Sequence, residues 1–164
     1  MSPEKALLVA ANPFKYYQVS PTRAMKELGD VEFHRVYLDR YGGVFWDVIP
    51  SGRPGRQDLP WKHPEIHSGY FYIAKKKVVK YWMNIEYIKR WKEIDLGAVE
   101  RYTPEPRRAY LQSYRETMRY YAILIREICE LRTEHKLEDF TLVSANEKLE
   151  RLRNYAIVID PGWQ

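Results

Sequence analysis

Tyr70–Ala74 (YFYIA) and Val78–Tyr87 (VVKYWMNIEY), separated by Lys75-Lys76-Lys77, decide the fold. Both runs are rich in aromatic and β-branched residues, which fit a pleated surface better than a helix. The lysines interrupt the apolar pattern, so the stretch predicts a β-hairpin with a cationic tip. Working outward, Val44–Ile49 (VFWDVI) is a further β-prone run with Trp46 in its middle. Ala6–Ala11 (ALLVAA) is apolar throughout and reads as a buried strand ended by Asn12-Pro13. Val31–Leu38 sets Val31 and Phe33 against Glu32 and His34 and reads as a strand, with Tyr41-Gly42-Gly43 as the following turn. Tyr155–Asp160 (YAIVID) is the last strand, and Ile88–Val99 favours neither state.

Three helices complete the reading. Ser20 caps a short one, with Pro21 in its first position and Gly29 closing it after Leu28. The longest is expected over residues 104–134, capped by Thr103 and opened by Pro104. At 100° per residue, Tyr110, Tyr114, Thr117, Tyr121, Leu124 and Ile128 share one face, and Arg108, Arg115, Arg119 and Arg126 share the opposite one. Such a helix would be about 45 Å long, an insertion or appendage on a small domain. Ser144-Ala145-Asn146-Glu147 has the form of a capping box and predicts another helix through about Arg153. Strands mostly neighbour strands, so the class is α+β. The expected architecture is a curled antiparallel or mixed sheet of about six strands with flanking helices, one of them long. Curling until closed would remove the exposed edges.

The chain has 164 residues, with 27 Lys plus Arg against 22 Asp plus Glu, a net charge of +5. That length suits one domain over residues 1–164. With 45% hydrophobic and 15% aromatic residues the chain can bury a core, which excludes full disorder. No run reaches the roughly 18–20 apolar residues needed to cross a bilayer. Met1–Lys5 lacks the layout of a signal peptide, so the expectation is a cytoplasmic protein without a membrane partner. The single cysteine, Cys129, excludes an internal disulfide and any multi-cysteine metal site.

Residues 50–69 read as a long ordered loop with four prolines. Loops of that length in compact domains are often functional. Ser51-Gly52-Arg53-Pro54-Gly55-Arg56 lacks both phosphate-loop and dinucleotide fingerprints, yet Arg53 and Arg56 offer guanidinium forks to a phosphate. Trp46 and Trp61 bracket this run and could stack on a base or plug the core. His63 and His67 recur as H-P-E-I-H, but Pro64 opposes a helix and no third ligand lies nearby, so they read as exposed loop histidines and no metal or other cofactor is assigned. Cys129 reads as a small buried hydrophobe. The arginine stripe suits phosphate oxygens, although a solvated face is the plainer reading.

Leu7–Pro13 (LLVAANP), Val44–Pro50 (VFWDVIP), the basic Ser51–Arg56 loop, Gly69–Ala74 (GYFYIA) and Val78–Ile85 (VVKYWMNI) together resemble the PUA-like superfamily, nearest to its EVE and ASCH type domains. The resemblance implies a pseudo-barrel with flanking helices and a pocket for a nucleobase, often a modified one, in RNA or DNA. This chain has Trp46-Asp47-Val48 where EVE domains usually have Trp-Gly-Val. The implied function is a nucleic-acid-binding module that takes a single-stranded or flipped base. The base would stack on Trp46, Trp61 or Tyr70, with Asn12 at its edge. Arg53, Arg56 and Lys62 would hold flanking phosphates, and Ser51, Arg115 and Arg119 extend the candidate surface. No catalytic residue is assigned. The alternatives are a small hydrolase of nucleic acid or modified nucleosides, using Asp47, Glu86 or Lys62, and an interaction module built on the long helix.

Overall fold

The computed structural model describes residues 4–11, 29–48, 59–104, 121–144, 147–152 and 154–163. Its strands are β1 (Lys5–Ala11), β2 (Val44–Val48), β3 (Ser68–Ile73), β4 (Val78–Arg90), β5 (Tyr121–His135) and β6 (Tyr155–Ile159). They form one sheet in the order β2-β5-β4-β3-β1-β6. β1 runs parallel to β3, and every other neighbouring pair is antiparallel. The helices are α1 (Asp30–Tyr41) and α2 (Leu96–Tyr102). The class is therefore α+β with a six-stranded mixed sheet.

The sheet curls. Trp46 on edge strand β2 lies 4.6 Å, ring to ring, from Phe71 on β3, three places away in the sheet. Tyr121 on β5 lies 5.9 Å from Tyr155 on β6. The concave face thus encloses one core, with Leu7, Val9, Phe71, Met83, Ile123 and Ile157 among its members. No ladder joins β2 to β6 among the described residues, so the sheet is open rather than a closed barrel. The β6 edge is satisfied another way. Val143 N–H donates to Ile157 O at 3.2 Å and Ile159 N–H donates to Thr141 O at 2.9 Å. A covered edge needs no closure.

Both faces of β1 are covered, which explains its unbroken apolar sequence. Leu7, Val9 and Ala11 enter the concave core, while Ala6 and Leu8 join Tyr70, Phe140, Leu149 and Val158 on the convex side. A second convex cluster seats α2 through Val99, Ile94 and Trp91 against Phe45, Ala122 and Leu124. Gly69 lets β1, β3 and β4 crowd together. A Cβ there would stand 2.5 Å from Met83 Cε and 2.8 Å from the Leu7 carbonyl oxygen.

Three expectations are corrected. Residues 31–38 are helical, within α1, not a strand. The buried positions Asp30, Val31, Phe33, His34, Tyr37 and Leu38 recur at helical spacing, and the two-residue alternation spans only the first four residues. Gly29 opens this helix in an extended conformation, and Gly42 closes it at φ 77° with its N–H on Leu38 O. Residues 121–134, expected as the second half of a long helix, belong to strand β5. Ile123, Ile125 and Ile128 favour a strand, and Tyr121–Ile125 are buried from both sides, so no polar alternation marks them. Residues 147–152 are not helical either. Lys148 bridges Thr141, and Leu149 N–H donates to Phe140 O at 3.1 Å. The expected helix at residues 20–28 and the rest of the long helix, 105–120, lie outside the described residues. Among the described residues, no helix is long and apolar enough to cross a membrane.

Candidate nucleic-acid interface

The β3–β4 hairpin ends as the sequence predicts. Ile73 pairs with Val78, and Lys75, Lys76 and Lys77 stand exposed beyond that pair. Two hydrogen bonds fix the turn: Lys77 N–H to Ile73 O at 3.0 Å, and Ala74 N–H to Ala11 O at 2.9 Å. The backbone is left-handed at Lys75 (φ 71°) and Lys77 (φ 58°). This region costs an L-residue with a Cβ about 1–2 kcal/mol, and glycine or asparagine is the usual occupant. The turn therefore carries cationic side chains at its two strained positions. Lys76 and Lys77 form no ion pair among the described residues.

Tyr72 of this hairpin forms one wall of an open cleft of about 370 Å³, whose lining is completed by Leu137, Glu150, Arg151 and Leu152. Its walls come from three places. Tyr72 pairs with Val79, one rung below the pair that closes the hairpin. Val79 pairs on its other side with His135, which brings in the 3₁₀ turn Leu137–Asp139. Residues 150–152 belong to the irregular segment that follows the Thr141–Lys148 bridge. The neighbouring C-terminal segment is well anchored. His135 stacks on Trp163 at 3.5 Å and 4° between planes. The Tyr70 hydroxyl donates to Asp160 Oδ1 at 2.8 Å and accepts from Trp163 N–H at 3.1 Å. Burial first, and then the Asp160 carboxylate, push the Tyr70 hydroxyl well above the usual tyrosine range.

The residues singled out from sequence do not converge. Trp46 is 5% exposed and packs against the His34 ring at 4.3 Å and the Phe71 ring at 4.6 Å. A base cannot stack on an indole buried in this way. His34 is itself buried, with Nδ1 donating to Asp30 O at 2.8 Å and lying 3.3 Å from Asp30 Oδ1. Tyr70 is fully buried and belongs to the convex cluster, whereas Trp46 belongs to the concave one. Tyr70 is therefore no stacking surface, and the two aromatics do not share a pocket. Trp61 and Lys62 do sit side by side on the 3₁₀ turn Pro60–Lys62. The Trp61 ring rests 5.0 Å from Tyr121, Lys62 is exposed, and both lie toward the end of β3 away from the lysine tip. Asn12, Ser51, Arg53, Arg56, Arg108, Arg115 and Arg119 lie outside the described residues.

Arg126, the remaining member of the expected arginine stripe, is a clamp on β5. It donates to Glu86 at 3.1 Å and to Gly42 O at 3.0 Å, and its guanidinium lies 4.8 Å from the Tyr102 ring centre. Glu86 is thereby engaged as well. Lys5 Nζ donates to Glu65 at 3.1 Å and lies 3.4 Å from His63 Nδ1, while His67 Nδ1 donates to Ile85 O at 3.1 Å. Among the described residues, no group of three or more His, Cys, Asp or Glu is placed to hold a metal. The Cys129 thiol donates to Glu127 at 3.0 Å, which raises its pKa and opposes nucleophilic use.

Tyr72, Glu150 and Arg151 were not visible as a site, because their meeting depends on strand register and on an irregular course for residues 147–152. The lysine tip was visible, and the missed signal was the absence of Gly or Asn from its turn. No family model, curated protein or solved structure matches the chain.

Proposed function

We propose that this chain is a nucleic-acid-binding module that engages the phosphate backbone of a single strand, RNA or DNA, with Lys75, Lys76 and Lys77. The observation that carries the reading is the left-handed backbone at Lys75 and Lys77. A hairpin under no constraint beyond folding would place Gly or Asn there. Lysine rather than Gly or Asn at these exposed left-handed positions presents like charges to solvent, which supports a binding role for the tip. Lysine ammonium groups neutralise phosphates and release counterions, a term independent of sequence. The chain's net charge of +5 works in the same direction.

The PUA-like reading stays part of this proposal on the sequence resemblance of residues 7–13, 44–56 and 69–85. With Trp46 buried in the concave core, the reading takes the base to the convex side, next to the hairpin. Ultraviolet crosslinking of a uridine-rich 12-nucleotide strand, followed by mass spectrometry, tests this. The expected crosslinks fall on residues 72–80. Crosslinks confined to other parts of the chain would overturn it.

A further inference from the structure

We infer that the cleft walled by Tyr72 of the lysine-tipped hairpin receives a guanine base. This rests on the proposed engagement of a single strand by Lys75–Lys77 and adds the base which that strand presents. The lining combines an aromatic ring (Tyr72), two aliphatic walls (Leu137 and Leu152) and two adjacent opposite charges, Glu150 and Arg151. Neither charge is in an ion pair with the other or with any described residue. The cleft is open to solvent, with a volume of about 370 Å³.

A carboxylate only accepts hydrogen bonds and a guanidinium only donates them. A ligand satisfying both must present paired donors beside paired acceptors. Guanine does so on contiguous edges, with N1–H and the N2 amine facing Glu150, and O6 and N7 facing Arg151. Adenine and cytosine each offer one amine, and uracil one N–H, so none gives the carboxylate two donors on neighbouring atoms. Tyr72 supplies the stacking face. The lysine tip, beyond the Ile73–Val78 pair that follows Tyr72 in the hairpin, meets the phosphates of the same strand.

The test is fluorescence anisotropy at low salt with nine-nucleotide RNA probes. One is all uridine, and the others carry a central guanosine, inosine or adenosine. The wild-type chain binds the guanosine probe about tenfold more tightly than the adenosine probe, since a good bidentate contact discriminates by that order. Inosine, lacking the N2 amine, falls between them. Glu150→Gln, at an exposed position, abolishes the guanosine preference, bringing the ratio of guanosine to adenosine affinity to about one. Equal binding of the guanosine and adenosine probes by the wild type overturns the guanine site. If all-uridine binding then still falls when the tip lysines are replaced, the phosphate role survives. Binding of no probe overturns both.

Discussion

Lys75 and Lys77 hold left-handed backbone, at φ 71° and 58°, on either side of Lys76. Glycine at both positions relieves strain of about 1–2 kcal/mol per residue, partly offset by the greater freedom of glycine in the unfolded chain. The Lys75→Gly/Lys77→Gly variant is expected to be more stable by about 1 kcal/mol, a rise in melting temperature of about 2–4 °C for a chain of this size. Its affinity for single-stranded RNA is expected to fall. Thermal denaturation beside a binding isotherm checks both, and a variant that melts below the wild type would contradict the strain argument.

Trp46→Ala separates a core role from a binding role. Packed against His34 and Phe71 and 5% exposed, the indole fills the concave core. Removing it costs about 3–5 kcal/mol. Urea denaturation is expected to show that loss. A variant with wild-type stability and no nucleic-acid binding would restore Trp46 as a stacking surface.

Tyr81 couples α1 to the sheet. Its hydroxyl donates to Glu32 Oε1 at 2.6 Å, and Arg35 donates to the same oxygen at 3.1 Å. Burial first, and then Glu32, raise the Tyr81 pKa, and burial with Asp160 does the same for Tyr70. A folded-state pKa raised above the unfolded value of about 10 gives stability that is complete below that pH and is lost as pH rises beyond it. Melting temperature is therefore expected to decline above pH 10, and Tyr70→Phe/Tyr81→Phe to decline less steeply. Equal slopes for the two proteins would contradict the assignment.

Tyr70→Phe alone tests the C-terminal anchor. It removes the hydrogen bonds to Asp160 Oδ1 and from Trp163 N–H, and leaves a part-buried peptide N–H without its partner. The cost is about 2 kcal/mol. Trp163 emission is expected to shift to the red as the stack with His135 loosens. Unchanged emission and stability would show that the stack holds the segment by itself.

Much of the sheet was legible because its signals are local. The hairpin reads from two β-prone runs around three lysines, and β1, β2 and β6 from short apolar runs bounded by breakers. β5 was not legible. Tyr121, Leu124 and Ile128 fit a helical face, and its strand state follows from the long ladder with β4, a tertiary effect. In α1 the short alternation from Val31 to His34 masked the longer helical period. The site suffered for a different reason. Aromatic residues near basic ones look alike in sequence whether they are sealed, as Trp46 and Tyr70 are, or open to solvent. Only strand register places Tyr72 one rung below the pair that closes the lysine-tipped hairpin.

The most direct measurement of the central claim is the salt dependence of single-strand binding for the wild type and for Lys75→Gln/Lys76→Gln/Lys77→Gln. Each lost phosphate contact lowers the slope of log affinity against log salt by about 0.7 for single strands. Loss of all three lysines is expected to make the slope shallower by about 2. Identical slopes and affinities for the two proteins would contradict the claim.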